Sequence, residues 1–573
     1  MSKNLYRLTT PYAEELGCLV PWQDYPRPSM VRESYISLNG EWELSVGGED
    51  MPSEYQRRIR VPFPYESELS GIGESLPEGS YLHYRKSFTL PEGFLDSRLI
   101  LHIGAADSST RVWVNGKFIG DHEGGYLPFS FDITDALSSD TIEVKIRVFD
   151  DLSGKYPYGK QTKKRGGMWY TPVSGIWQSV WLESVAEKYI ESIVIDADDK
   201  RVKISLKGGE PSATLRLESG EEYSTDNGVF ELSPSEPRLW TPDDPEIYRF
   251  TVKAGDDTVS SYFAMRKIEV RDALGIPRLY LNGKPYLFNG LLDQGYYPDG
   301  IFLPASPDGY RDDIMRAKSL GFNTLRKHIK VEPEIFYYLC DTLGMAVFQD
   351  MVNNSGYSFL LDTALPTVGL KRLPDSLRHR DPETRRIFTE HSLKTIERLR
   401  SFPSVLYYTV FNEGWGQFEA DKLYKIIKDA DPTRIVDANS GWFTRNESDV
   451  DSRHIYFKPI KVKKRSHRPI SISEFGGYSY RVEGHLFGDD NYGYTICKSA
   501  DEFAERFEAL YREEIIPAIK MGASALVYTQ ISDVEDETNG LITYDRRVVK
   551  LDCAKCSELM KKIYTAFDEC TGG

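Results

Sequence analysis

Two segments of this chain carry carboxylates where chemistry is done: VFNEGWGQF, with Glu413 directly after Asn412, and PISISEFGGYSY, with Glu474 ahead of a Gly-Gly pair. Each glutamate follows a run of β-forming apolar residues, 406–411 and 469–472. A carboxylate at the C-terminal end of a buried strand lies where a parallel α/β barrel builds its active site. Two of them facing one another across such a mouth are the machinery of glycosidic bond hydrolysis.

In a retaining mechanism the carboxyl groups stand about 5–5.5 Å apart; one attacks the anomeric carbon while the other protonates the leaving oxygen and later deprotonates water. The two must differ in pKa. The acid/base needs apolar or like-charged surroundings, whereas the nucleophile needs donors that keep it ionised. Glu413, flanked by Phe411 and Trp415, suits the acid/base role. Arg326 and Tyr456 can donate to Glu474 and hold it as the nucleophile. Asn412 can bond the sugar 2-OH, a contact that strengthens at the transition state. A lone Glu after a strand is also an ordinary loop charge or a helix N-terminal charge. The pair, with Asn before one and Gly-Gly after the other, favours the catalytic reading.

The elements that must position this pair are legible from the change of texture along the chain. Up to about residue 185 short alternating strands recur, among them RLILHIGA, VWVNGKFIG and TIEVKIRVF. Asn115-Gly116 between alternating apolar residues predicts a hairpin with a two-residue type I′ turn. This spacing predicts a β-sandwich of jelly-roll type over 1–185. A second, shorter β series over 186–271 has the size of an immunoglobulin-like β-sandwich. Over 272–573 apolar strands alternate with helical segments, which predicts a (β/α)₈ TIM barrel of about the usual size. A doubly wound sheet is the alternative, but no Gly-rich phosphate loop follows the first strand there.

With 573 residues the chain needs several cores. Its net charge of −16 argues against nucleic-acid or membrane-surface partners, which want a basic face. The basic run at 461–468 reads as a solvated loop. No apolar leader and no stretch of about 18 apolar residues is present, so neither a signal peptide nor a membrane span is expected. Six scattered cysteines form no disulfide framework. Cys553 and Cys556 form a CxxC inside a helical-looking stretch at 552–567, which reads as two thiols one turn apart rather than a metal site. The expected location is the cytoplasm.

The chain resembles glycoside hydrolase family 2, the family of β-galactosidases, β-glucuronidases and β-mannosidases. SLNGEWELSV, YRKSFTL, VWVNGKFIGDHEGGYLPFSFDIT and SGIWQSVWLE look like that family's N-terminal sugar-binding domain. FNTLRKH, FYYLCDTLGMAVFQDM, the Asn-Glu of FNEGWGQF and SEFGG are similar to its barrel motifs in order and spacing. The resemblance implies Glu413 as acid/base and Glu474 as nucleophile. It also implies Arg326 and Asn412 as supports, and Tyr456 as the residue contacting the nucleophile.

The chain departs from that pattern in two places. Many members carry Ser-His-Tyr-Pro after the strand-two arginine, where this chain reads Arg326-Lys327-His328-Ile329-Lys330. Lys327, His328 and Lys330, with Lys458, can form a positive pocket suited to a uronate carboxylate. Alternation along a strand would instead send half of them away from the mouth. Glucuronidases of the family carry Asn-x-Lys after the last strand; here Asn539-Gly540-Leu541 stands in its place, which weakens a glucuronidase reading. Asp293 and Gln294, with Tyr296, follow the first barrel strand and are candidate contacts to sugar hydroxyls, unless they form a plain turn.

The expected activity is therefore that of a retaining exo-β-glycosidase acting on a terminal, galacto-configured sugar, either a β-galactoside or a β-galacturonide. A β-glucuronidase or another family 2 glycosidase is the alternative within the class. A catalytically silent carbohydrate-binding protein and a barrel hydrolase of esters or amides are rivals outside it, the latter wanting a Ser or Cys nucleophile. No cofactor is expected, no metal-ligand cluster is evident, and the partner is a carbohydrate. Whether the chain forms a homo-oligomer is left open by its sequence.

Overall fold

The computed structural model describes residues 5–365, 379–462 and 466–572. The basic run at 461–468 thus lies in part outside the described residues. The N-terminal region is a sandwich of a four-stranded and a six-stranded sheet. The six-stranded sheet runs in the order Arg57–Val61, Gly40–Gly47, Tyr81–Thr89, Thr141–Phe149, Ser109–Val114 and Lys117–Glu123. Alternation decides which face is buried: Trp42 and Leu44, Val112 and Val114, and Val144 and Ile146 meet Leu99, Leu101 and Leu182 of the opposite sheet. The hairpin at Asn115-Gly116 is formed, with φ of +48° and +79° as a type I′ turn requires.

The middle region is also all-β, a three-stranded and a four-stranded sheet packed around Ile204, Leu215, Phe230 and Val252. Behind it a hairpin, Ile268–Ala273 with Ile276–Leu281, covers the N-terminal end of the barrel. Its Leu279 and Leu281 join Phe288, Phe348, Leu406 and Val527 of the barrel interior.

Eight parallel strands form the barrel: β1 (Phe288–Asp293), β2 (Thr324–Lys327), β3 (Ala346–Asp350), β4 (Val405–Thr409), β5 (Ile435–Asp437), β6 (Asp451–Ile455), β7 (Ile470–Gly476) and β8 (Ala523–Thr529). Most of these strands are buried throughout, as parallel strands covered on both faces must be. Pairing runs β5-β4-β3-β2-β1-β8-β7-β6, so the ring is open between β5 and β6. Side chains bridge that seam: the Ser440 hydroxyl, just past β5, lies 2.8 Å from His454 Nε2 on β6. Helices Asp308–Ser319, Glu334–Leu343, Pro382–Leu399, Ala420–Ala430, Ala500–Ala509 and Cys553–Thr571 pack outside. Cys553 and Cys556 lie on the last of these, and none of the six cysteines is paired.

One segment of the N-terminal region leaves its sandwich and reaches the barrel mouth. Tyr158 N–H donates to Asn353 O at 3.0 Å, and the Tyr158 hydroxyl donates to Ser355 O at 2.7 Å, both in the loop after β3. Gly159 is needed there: at φ +67°, a Cβ would stand 2.8 Å from Ile329 O. Further on, the Tyr170 hydroxyl donates to Glu537 Oε2 at 2.8 Å, beyond β8.

Candidate active site

Arg326 is the hub of the mouth. Its neighbours in register are Leu292 on β1 and Phe348 on β3, both in the barrel interior, so its side chain points inward. Nε and Nη2 grip Asp350 at 2.9 and 3.0 Å, a bidentate pair. Nη1 donates to Ser473 O at 2.9 Å and to Glu474 Oε1 at 3.2 Å, while Nη2 also donates to Asn412 Oδ1 at 2.8 Å. All five guanidinium hydrogens are thereby used. Burial opposes the charge of Arg326, but Asp350 and Glu474 more than offset this and raise its pKa above the ordinary value. One side chain thus ties β2 to β3, β7 and the segment beyond β4.

Glu474 lies near the C-terminal end of β7 and is almost fully buried. Tyr456 donates its hydroxyl to Oε2 at 2.5 Å and also lies 2.9 Å from Thr529 Oγ1. Its two oxygens thus meet separate donors, Arg326 on Oε1 and Tyr456 on Oε2. Tyr494 stacks on the Tyr456 ring at 3.8 Å, which holds that hydroxyl in place.

Glu413 lies beyond β4 with φ +54°, a left-handed conformation uncommon outside glycine. Its N–H bonds to Ser440 O at 2.8 Å, and Asn412, locked to Arg326, fixes the preceding residue. Burial raises the Glu413 carboxyl above its ordinary pKa, and the nearby Lys160, His328 and Arg326 only partly counter this. Trp415 closes one side, its ring packed 5.0 Å from that of Trp169 and 5.6 Å from that of Tyr158.

His454 stands between the two glutamates. Nδ1 is 2.9 Å from Glu413 Oε1 and 3.5 Å from Glu474 Oε2. Nε2 faces the Ser440 hydroxyl and, at 3.5 Å, an Arg326 N–H. The imidazole thus links the carboxyl of Glu413 to the Ser440 hydroxyl past β5. Burial holds His454 down to about 3, so it stays neutral across the working range. One ligand-capable atom of each of Glu413, His454 and Glu474 lies within 4.8 Å of the others. Three ligand atoms this close form a group able to hold a metal ion, which the sequence alone did not show.

Of the residues expected at the site, Glu413, Glu474, Arg326, Asn412, Tyr456, His328 and Trp415 gather there. His328 Nδ1 lies 2.8 Å from Asp350 Oδ2, and burial lowers its pKa. The basic pocket expected from Lys327 and Lys330 is corrected by the geometry. Lys327 points outward, donating to Asp293 Oδ2 at 2.6 Å and Glu332 Oε1 at 2.8 Å, with Nζ 4.4 Å from the Phe336 ring centre. Lys330 donates to Gly295 O, Phe302 O and Glu332 Oε1 at 2.6 to 2.9 Å. Both ammonium groups are buried among the barrel's outer elements. Asp293 is held by Lys327 and by Gly295 N–H at 2.9 Å, while Gln294 Oε1 is buried without a partner among the described residues. Lys458 is exposed, and Leu541 is buried.

The sequence reading missed Asp350, His454 and Lys160. A period-two signal pointed to His454, two residues before Tyr456 on the same face of the strand. Asp350 ends β3, at the same C-terminal rim of the barrel that carries the glutamates.

The sugar-binding domain of glycosyl hydrolases family 2 matches residues 29–185, and the TIM barrel domain of the same family matches residues 268–485. The chain belongs to glycoside hydrolase family 2. A β-galactosidase of Aeromonas hydrophila subsp. hydrophila is 25% identical over 456 residues, 72% of this chain and 41% of that protein. The chain spans between 39% and 54% of the length of such curated relatives. A β-D-glucuronidase structure from Dictyoglomus thermophilum superposes with a TM-score of 0.71 at 19% identity, covering 94% of this chain and 98% of that one. A β-galacturonidase from Eisenbergiella tayi, bound to galacturonate, gives a TM-score of 0.67 at 17% identity, covering 92% and 97%. At these identities the likeness is one of fold. Among the described residues no helix is long and apolar enough to cross a membrane.

Proposed function

We propose that the protein is a retaining exo-β-glycosidase that releases terminal β-linked sugars by double displacement. The observation that carries this is the carboxylate pair: oxygens of Glu413 and Glu474 within 4.8 Å, in unlike surroundings. That spacing suits direct attack by Glu474, as in a retaining enzyme. Glu413, pushed up by burial, is the acid/base. Glu474, held by Arg326 and Tyr456, is the nucleophile.

Asn412 has its Oδ1 bonded to Arg326 and its NH₂ free to donate to the sugar 2-OH. The sugar is galacto-configured in this reading, a β-galactoside or β-galacturonide, with a β-glucuronide as the alternative. The same reading divides the chain at 1–185, 186–271 and 272–573, with the strand Ile268–Ala273 running across the last limit. It puts the protein in the cytoplasm, supported by six unpaired cysteines.

Glu413→Gln and Glu474→Gln should each cut turnover of an aryl β-glycoside by orders of magnitude, and a 2-fluoro glycoside should label Glu474. Unchanged turnover in both variants would overturn the assignment of the two glutamates, and sugar binding without any turnover in the parent would leave the silent binding protein as the better reading. A panel of nitrophenyl β-galactoside, β-glucuronide, β-galacturonide, β-mannoside and α-L-arabinoside identifies the sugar.

A further inference from the structure

With Lys327 and Lys330 turned into the core, the cation available to a substrate must come from elsewhere. Arg326 has all five hydrogens engaged. Arg165 is paired with Asp536 at 3.3 Å, Lys163 with Glu78 at 3.0 Å and Lys550 with Asp533 at 2.7 Å. Lys160 differs. It is half-buried, makes no hydrogen bond or ion pair through Nζ with any described residue, and lies 5.8 Å from the centre of the Trp169 ring.

The Lys160 backbone is fixed on both sides. Tyr158 and Gly159 are bonded to Asn353 O of the loop after β3, Tyr170 N–H bonds to Lys160 O at 3.1 Å, and the Gln161 side chain bonds Asp107 at 2.8 Å. Trp169 beneath it abuts Trp415, two residues from the acid/base. The ammonium is close enough for its charge to act on Glu413, His328 and Glu537. These partners do not neutralise it. Glu413 must carry a proton when substrate arrives, His328 is neutral by burial, and Glu537 is already bonded by Tyr170 and Gln530 at 2.8 and 2.9 Å.

We infer that Lys160, carried into the mouth by the N-terminal region, binds the carboxylate of a uronic acid and makes the site selective for uronides. This rests on the glycosidase reading above and names its substrate class. A half-buried ammonium held over Trp169 and bonded to no described residue is a ready partner for a carboxylate, and such charge-assisted bonds are among the stronger ones. Lysine suits the task as a compact charge on a flexible stem, adaptable to a carboxylate in either galacto or gluco configuration.

The test compares Lys160→Met, Lys160→Arg and Lys163→Met with the parent on nitrophenyl β-galacturonide, β-glucuronide and β-galactoside. A charge-assisted contact of this kind corresponds to about a 10- to 100-fold effect. The ratio of kcat/KM on uronide to that on galactoside should fall by about that factor in Lys160→Met, recover largely in Lys160→Arg, and stay at the parental value in Lys163→Met. Calorimetric binding of free galacturonate and glucuronate should weaken in parallel in Lys160→Met, a readout independent of turnover. An unchanged ratio together with unchanged uronate binding overturns the inference. So does a parent that cleaves galactosides and neither cleaves uronides nor binds uronates. Failure of the glycosidase reading itself would look different: no glycoside cleaved and no label on Glu474, with the binding comparison still deciding the role of Lys160.

Discussion

Arg326 donates through Nη2 to Oδ1 of Asn412 at 2.8 Å, and this bond orients the amide. The NH₂ group, the only donor of the side chain, makes no hydrogen bond with any described residue.

An amide held in this way should read a hydroxyl on the sugar next to the anomeric carbon. Asn412→Ala should lower kcat/KM by about 10- to 100-fold on a normal glycoside, in the range of one hydrogen bond that strengthens at the transition state. A 2-deoxy glycoside should lose a similar factor with the parent enzyme. The decisive quantity is the cycle: on the 2-deoxy substrate the variant should lose little more. Full additivity of the two losses would show that Asn412 acts elsewhere.

The unequal surroundings of the glutamates predict unequal rescue. In Glu413→Ala a dinitrophenyl glycoside, whose leaving group needs no proton, should still form the glycosyl-enzyme quickly, and azide should restore turnover with a β-glycosyl azide as product. In Glu474→Ala azide must attack from the opposite face and give the α-azide. Product anomers determined by NMR that come out the other way round would reverse the two assignments.

The pH profile follows from burial of Glu413. Its carboxyl must be protonated for the first step, so activity falls as pH rises through its pKa, which burial sets above the ordinary value of 4.5. Lys160 works against that rise by favouring the carboxylate. Lys160→Met should therefore move the alkaline limb of kcat/KM on a neutral glycoside to higher pH. A limb that moves down, or that survives in Glu413→Gln, would contradict this picture.

How far the sequence revealed this site depends on which side of a strand each residue faces. The glutamates were legible because each ends an apolar run, and the barrel because such runs alternate with amphipathic helices. Adjacent residues of a strand face opposite ways, so Arg326 enters the mouth while Lys327 reaches the Phe336 ring on the helix Glu334–Leu343. Without the register there was no telling which of the two went inward. His454 was overlooked although it stands two residues before Tyr456, because that spacing alone does not give its role. Its role comes from the seam between β5 and β6, where Ser440 is its partner. Lys160 was out of reach for another reason: its place depends on a loop of one region docking onto loops of another.

The buried cluster of Lys327, Lys330 and Glu332 yields a prediction that separates stability from selectivity. Burial lowers Lys330 to about 8 from an ordinary 10.5, with Glu332 opposing that fall and Lys327 adding to it. The native protein therefore releases this proton more readily than the unfolded chain does. Between pH 8 and 10.5 the unfolded state holds the extra proton, so the stability contributed by this group rises with pH across that window. Denaturation of the parent and of Lys330→Met, compared at pH 7, 8.5 and 10 (chosen from that window), should show the parent gaining relative to the variant as pH increases. A gap that is constant or shrinks would mean that Lys330 is not the buried, depressed ammonium its contacts describe. Glu332→Ala, which leaves two buried cations without their shared carboxylate, should be the harsher change, costing about 3–5 kcal/mol. Neither substitution should alter the ratio of kcat/KM on uronide and galactoside, because both side chains lie behind β2 rather than in the mouth. A change in that ratio comparable with the one expected for Lys160→Met would return the basic segment after Arg326 to the substrate.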